Sequence, residues 1–384
     1  MTKNLNYNQC SRCILDTNDD PSIKFDDQGV CNHCHEYDNV ASQYSFSDEE
    51  RKRKLDEIIT EIKENGKQKK YDCILGVSGG VDSTYLAYLA KQYDLRPLVV
   101  HFDNGWNSEL AVKNIENILN KLGFDLYTYV VDWEEFKDLQ LSYIKASVID
   151  WEVPTDHGFI ALLKDLSNKY NIQYVLSGHN IATEAVLPKN MRWNKLDVAN
   201  IKAIHKKYGT IKLKTFPLLG FYKNLYYFFT NKAKWISLLN YVNYNKKEVK
   251  EFIQKELEWI DYGGKHYESI FTRFYQGYVL PEKFKVDKRK AHLSNLVCSG
   301  QITREEALEE IKKPPYDTVQ LKIDKEFVIK KLDLTDQQFE EYMKQPNRSH
   351  LEFDSYETGL YIKYQKFISL IKPFLKVFKW IKNK

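Results

Sequence analysis

The sequence has no apolar run approaching the roughly 20 residues that a membrane-spanning helix needs. No apolar stretch follows its first residues, Met1-Thr2-Lys3-Asn4-Leu5-Asn6. A spanning or secreted product is not expected, and the chain reads as cytoplasmic. It also lacks an excess of one charge: 57 basic residues against 53 acidic ones leave +4. That balance argues against general coating of nucleic acid and leaves a local site open. Cysteine is sparse, and four of the six fall in two close pairs. Such usage suits a metal site in a reducing compartment better than disulfides. There is no Gly-x-x-x-x-Gly-Lys-[Ser/Thr] loop and no Gly-x-Gly-x-x-Gly fingerprint. What is present is enough apolar residue, 43% of 384, for a sizeable core in one large domain or two to three smaller ones.

Cys10-Ser11-Arg12-Cys13 and Cys31-Asn32-His33-Cys34 are two Cys-x-x-Cys knuckles. The loop between them carries Asp16, Asp19, Asp20, Pro21 and Gly29, which are turn residues. The spacing predicts a zinc ribbon in which Cys10, Cys13, Cys31 and Cys34 close a tetrahedral shell around Zn2+. His33 and His35 are substitutes for a thiolate, but four cysteines already fill the shell. A closed shell is structural, and metal binding would supply the folding energy of so small a module. Ser47-Asp48-Glu49-Glu50 then offers an N-cap and an acidic first turn, with Leu55, Ile58, Ile59 and Ile62 at helical spacing.

The most informative stretch is Ser78-Gly79-Gly80-Val81-Asp82-Ser83. It lies between an apolar run, Tyr71 to Val77, and a helix-like run, Thr84 to Ala90. A strand, a glycine turn and a helix in that order aim backbone N–H groups and a helix N-terminus at one point, as an anion requires. Further strands are expected at Leu98–Phe102, Leu126–Val131 and Tyr174–Ser177, with helices over Ala111–Leu122 and Gly158–Tyr170. Thr155 or Asp156 is placed to cap the last of these, or to serve a site. This alternation predicts an α/β fold, a parallel sheet with helices on both faces. Ligands in such sheets bind at the carboxyl ends of the strands.

The hexapeptide resembles the PP-loop of the ATP pyrophosphatase superfamily, whose HUP-like fold carries ATP. That resemblance implies that Ser78, Gly79, Gly80, Val81, Asp82 and Ser83 hold the phosphates. It implies that His101 and Asp103, after the second strand, line the adenosine pocket. It gives Gly178, His179 and Asn180 a place beside the phosphates. Asp82 and Glu184 are the candidates for Mg2+, since hard carboxylate oxygens suit that ion. Glu184 is otherwise a solvated helix position, and His179 a strand-end hydrogen bond.

Four later blocks narrow the resemblance. They are Asn180 to Trp193, Asp261-Tyr262-Gly263-Gly264-Lys265-His266-Tyr267-Glu268-Ser269, Arg273 to Phe284, and Asp287-Lys288-Arg289-Lys290-Ala291-His292. From Cys10 to about Pro314 the chain is similar to the N-acetyl sugar amidotransferase family of the WbpG and PseA type. This implies that ATP adenylates the oxygen of a sugar acetamido group and that ammonia replaces it, giving an acetamidino sugar, AMP and pyrophosphate. The sugar would be nucleotide-linked or free. Arg192, Lys265, His266, Arg273, Lys288 and Arg289 are the candidates for binding it, with Lys265 a catalytic candidate beside Asp82, Ser83 and His179. Lys288 and Arg289 could equally form a solvated helix face. No cysteine is placed as an N-terminal nucleophile, so a separate glutaminase subunit, with an ammonia-channelling cyclase-like subunit, is the expected nitrogen source. Nucleic acid is not an expected partner. The alternative is a tRNA-modifying enzyme of the thiolation type, which the scarcity of cysteines outside the ribbon disfavours.

The expected organisation is a zinc ribbon over 1–46, the PP-loop domain over 47–220, a sugar-substrate region over 221–316 and a helical appendage over 317–384. Thr303 to Glu306 reads as a capping box. The stretch from Tyr361 to Lys384 has no acid and many lysines, with apolar residues near helical spacing. It is either a basic helix lying on an anionic membrane or a terminal helix packed on the domain.

Overall fold

The computed structural model describes residues 7–230, 233–264 and 267–358. Lys265, His266 and the basic segment 361–384 lie outside the described residues. Five strands, β1 (Cys73–Gly76), β2 (Pro97–Asp103), β3 (Leu126–Val130), β4 (Tyr174–Leu176) and β5 (Lys234–Ile236), form one sheet in the order β3-β2-β1-β4-β5. Every pairing is parallel; Leu75 stands opposite Val99 on one side and Leu176 on the other.

Fifteen helices surround the sheet among the described residues. The chain up to Tyr208 holds α1 (Asn32–Ala41), α2 (Asp48–Gly66), α3 (Val81–Gln92), α4 (Glu109–Leu122), α5 (Trp133–Ala146), α6 (Val153–Lys169), α7 (Ile181–Glu184) and α8 (Val198–Tyr208). After them come α9 (Phe221–Thr230), α10 (Lys246–Leu257), α11 (Ile270–Phe274), α12 (Lys288–Cys298), α13 (Arg304–Lys312), α14 (Thr318–Lys331) and α15 (Asp336–Lys344).

Side chains alternate along each strand, so the apolar runs of β1 and β2 feed two cores. Cys73, Leu75, Val77 and Val99 pack with Leu55, Ile59 and Ile62 of α2, Leu86 of α3, Ile118 of α4 and Ile253 of α10. Ile74, Leu98 and Val100 face the other way, against Leu139 of α5, Leu162 and Leu166 of α6 and Ile201 of α8. Phe271, Phe274, Val328, Ile329, Leu332 and Phe339 complete that second core, so α11, α14 and α15 pack on the same face of the sheet. Burying one such side chain contributes about 1.5–3 kcal/mol.

Local signals explain the ends of several elements. Ser47 Oγ accepts from Glu50 N at 3.2 Å and starts α2, as its sequence predicts. Thr303 and Glu306 make the reciprocal capping box that starts α13. The helix expected from Gly158 begins instead at Val153, because Pro154 fits the first turn; Thr155 and Asp156 lie inside that turn and cap nothing. The three-residue strand β5, with Trp235 exposed, gives no sequence pattern to find. Among the described residues, no helix is long and apolar enough to cross a membrane.

One buried group makes the fold sensitive to acid. His157 on α6 is fully buried; its Nδ1–H donates to Lys195 O at 2.7 Å, and its Nε2 accepts from Leu219 N at 3.0 Å. The bond accepted by Nε2 needs the neutral ring, and burial pushes the His157 pKa down from 6.5 to about 4. The unfolded chain therefore takes up the proton first. Stability from this residue is whole above pH 6.5 and is lost as pH falls toward 4, by roughly 3 kcal/mol at most. Urea titrations across that window are expected to show the decline, and His157→Gln to flatten it.

Candidate functional site

The chain runs from β1 outward to β2 and β3, then crosses back to β4 and β5 on the other side. This reversal opens a crevice between the carboxyl ends of β1 and β4, where open parallel sheets bind ligands. The loop 78–83 follows β1, and the segment 178–184 follows β4. Topology alone thus joins two segments that are about a hundred residues apart in sequence.

Glycine is needed twice in this junction. Gly79 has φ +80°, and a Cβ there would stand 2.7 Å from Ala111 O. Its own carbonyl accepts from Trp259 Nε1 at 2.8 Å. A Cβ on Gly178 would stand 3.3 Å from Ser83 N, so the β4 loop backs directly onto the first. Gly80 is the N-cap of α3 and no side chain caps that helix, which leaves its first-turn N–H groups to an anion. Ser78 Oγ accepts from Gly80 N at 3.3 Å, and Ser83 Oγ donates to Gly80 O at 3.2 Å, so both hydroxyls brace the loop.

A cavity of about 540 Å3 opens in front of this loop, within the roughly 300–1,000 Å3 of small-molecule sites. Ser78, Gly80, Val81, Asp82, Ser83, His101, Gly178, Glu184 and Lys288 line it. Asp82 Oδ1 accepts from Tyr244 OH and from Asn180 Nδ2, the latter at 3.3 Å. Burial, then the charge of Asp82, pushes the Tyr244 pKa far up, so the phenol stays a donor. Asn180 is buried, and its Oδ1 accepts from Thr183 N at 3.0 Å to cap α7, which ends at Glu184. Two carboxylates, Asp82 and Glu184, on the wall of a phosphate-sized cradle fit Mg2+ held jointly with phosphate oxygens. His101 is fixed: Asn107 Nδ2 donates to its Nε2 at 3.0 Å, so Nδ1 carries the proton and donates to Val77 O at 3.1 Å.

Other predicted residues stand away from the cavity wall. Asp103 accepts from Gly105 N at 2.9 Å and Asn107 Nδ2 at 3.2 Å. His179 and Arg192 are exposed. Arg273 makes a two-pronged pair with the buried Asp324, at 2.6 and 2.9 Å. Arg289 holds Asp287 and the carbonyl of Lys313. The structure adds Glu152, Lys246, Lys250 and Thr272 to the wall, none of them a candidate from the sequence, and brings in Tyr262 and Gln276 from two of the blocks that carry the resemblance. Lys250 is paired with Asp261 at 2.5 Å. No local motif marks the first four positions; they reach the cavity through long-range packing of α6, α10 and α11.

The cysteine quartet is a second centre. Cys10 and Cys34 Sγ are 3.8 Å apart, and Cys13–Cys31 and Cys31–Cys34 are each 3.7 Å apart. A tetrahedron with Zn–S bonds of about 2.3 Å has edges of about 3.8 Å, so the four sulfurs fit Zn2+. His33 pairs with Asp20 and His35 with Asp26, each at 2.8 Å, and neither enters the cluster. Cys298 of α12 is a fifth thiol, 3.7 Å from Cys34 Sγ. Arg304 donates to the carbonyls of Cys10 and Cys13, both at 3.1 Å, and Lys290 pairs with Asp16 and Asp19, docking the ribbon on α12 and α13.

Residues 268–369 match the family model described as LPS biosynthesis protein WbpG-like, C-terminal domain. The match bears out the WbpG-type resemblance, and its segment supplies Glu268, Ser269, Thr272, Gln276 and Lys288 to the cavity wall. An uncharacterized protein of Methanocaldococcus jannaschii is 26% identical over 177 residues, 45% of this chain and 59% of that protein. The tRNA-specific 2-thiouridylase MnmA 2 of Fusobacterium nucleatum is 27% identical over 119 residues, 29% of this chain and 34% of that enzyme. The chain thus spans about three fifths or less of the length of these curated relatives. The solved NMN synthetase of Francisella tularensis aligns over 79% of this chain and 100% of its own, at 15% identity and a TM-score of 0.37.

Purified protein is expected to hold one equivalent of zinc by elemental analysis. Its removal by chelator should lower the melting temperature, and Cys31→Ala should lower both zinc content and stability, by about 3 kcal/mol or more.

Proposed function

We propose that this chain, with its WbpG-like C-terminal segment, is an ATP-dependent, AMP-forming amidotransferase that converts the acetamido group of an N-acetyl sugar to an acetamidino group. The observation that carries this is the composition of one cavity. One part of its wall is the phosphate cradle 78–83 with Asp82 and Glu184, and another part, Glu268, Ser269, Thr272, Gln276 and Lys288, comes from the segment that matches the WbpG-like domain. Nucleotide and second substrate thus share a single enclosure. Lys246, Lys250 and Lys288 on its wall suit an anionic partner such as a nucleotide-linked sugar. The setting we propose is surface polysaccharide or nonulosonic acid synthesis; the WbpG-like domain match supports the first of these.

The chemistry needs such an enclosure. An amide oxygen is a very poor leaving group. When it attacks the α-phosphorus of ATP, a C–O–P linkage forms and pyrophosphate departs. Ammonia then adds to the carbon, and AMP leaves with the former amide oxygen. The α3 N-terminus and loop amides would stabilise charge on the departing pyrophosphate. Mg2+ held by Asp82 and Glu184 would neutralise phosphate charge. Ammonia would come from a separate glutaminase subunit, with a cyclase-like subunit to channel it. Among the described residues no cysteine lines the cavity, which disfavours a persulfide-based tRNA thiolation.

The test is mass spectrometry of acetamido nucleotide-sugars incubated with protein, ATP, Mg2+ and ammonium. A sugar that has exchanged oxygen for NH, with AMP and pyrophosphate in equal amounts, is expected. Asp82→Asn should slow pyrophosphate release on the order of 100-fold or more while zinc content is kept. AMP formation driven by tRNA, with no sugar changed, would replace this function with RNA modification.

A further inference from the structure

The part of the cavity wall outside the phosphate cradle contains a polar set with a fixed direction. Glu152, the residue before α6, is half-buried at the cavity. Thr272 Oγ1 donates to its Oε1 at 2.5 Å, and Gln276 Nε2 donates to its Oε2 at 2.9 Å. An ionised carboxylate only accepts, so it dictates how its neighbours are turned. The amide NH2 of Gln276 must face Glu152, which leaves Oε1 as an acceptor with no partner among the described residues. Thr272 has given its single hydroxyl proton to Glu152 and offers only lone pairs beyond it. Both residues line the cavity, so this wall reads hydrogen-bond donors on a ligand.

The set is also held rigidly. Gln276 lies in a π-helical segment, Tyr275–Phe284, directly after α11. Such wide turns occur often at functional sites. The segment is pinned on either side of Gln276: Tyr275 is buried and its hydroxyl accepts from Asp150 N at 2.7 Å, while Phe274 before it and Val279 and Leu280 after it sit in the core.

Resting on the function proposed above, we propose that Gln276 Oε1, oriented by Glu152, accepts the N–H of the substrate's acetamido group and so selects amides over esters. As the acetamido oxygen bonds to the α-phosphorus and pyrophosphate leaves, the nitrogen lone pair moves into a C=N bond. The N–H then carries positive charge. A hydrogen bond to Gln276 Oε1, with the Glu152 carboxylate behind it, strengthens at that moment. The proton stays on nitrogen. Ammonia adds and gives up one of its protons to phosphate oxygen, the C–O bond breaks so that AMP departs with the oxygen, and the product amidinium spreads the charge over both nitrogens. An O-acetyl sugar has no such hydrogen and leaves the acceptor unpaired.

The experiment compares pyrophosphate release with an N-acetyl nucleotide-sugar and its O-acetyl analogue, for the wild type, Gln276→Met and Glu152→Gln. Melting temperature and KM for ATP serve as controls on folding and on the nucleotide site. The wild type is expected to prefer the amide by about 100-fold or more. Gln276→Met should bring the preference within roughly tenfold with KM for ATP unchanged. Glu152→Gln, nearly the same size, frees Gln276 to turn and should reduce the preference likewise. Folded variants that keep the full preference overturn the subsite and leave the proposed function standing; if Gln276→Met does not fold, Glu152→Gln decides alone. A wild type that reacts with no acetamido sugar overturns both.

Discussion

The side-chain amide of Asn180 is the hinge on which the site depends. It donates to Asp82 Oδ1 at 3.3 Å and, through its own oxygen, caps the short helix that ends at Glu184. One buried residue thereby sets the relation between two carboxylates on the helices that follow two different strands. A buried amide that satisfies both neighbours is worth more than its net hydrogen-bond energy, because removing it takes one donor from Asp82 and leaves the Thr183 N–H without its cap. The bond is available only because β4 lies directly beside β1 in the sheet, and because Gly178 lets the two loops touch.

The zinc module is tied into the same construction. Its loop docks on α12 through Lys290 and on α13 through Arg304. The helix α12 begins with Lys288 at the cavity and carries the buried Asn295, which bonds both the amide and the carbonyl of Val186, two residues after Glu184. Metal binding, which would give so small a module its order, would therefore support a helix that braces the Glu184 end of the cavity. The ribbon acts as a buttress for the site.

Much of this was legible in the residues. The apolar runs of β1 and β2 identified the buried strands, and the glycine loop marked the crevice, because both signals are local. The cysteine knuckles marked the four-thiol cluster for the same reason. The charged candidates were harder to place. Arg273 looked like a substrate-binding cation, yet it is paired with Asp324, fifty-one residues away, which no sequence pattern announces. Glu152 and Gln276 come from elements 124 residues apart, and their meeting is a product of packing. The helix α6 starts at Val153, ahead of the Gly158 that its apolar spacing suggests, because Pro154 fits the first turn, and β5 is too short to show a period.

The central claim is that the acetamido oxygen itself is coupled to AMP in this cavity. An acetamido sugar whose carbonyl carries the heavy oxygen isotope tests it directly, with the AMP formed during turnover read by mass spectrometry. The account predicts that the label leaves the sugar and appears in the phosphate of AMP, one atom for each acetamidino group made. Label retained in the sugar, or found in inorganic phosphate in place of AMP, would contradict it.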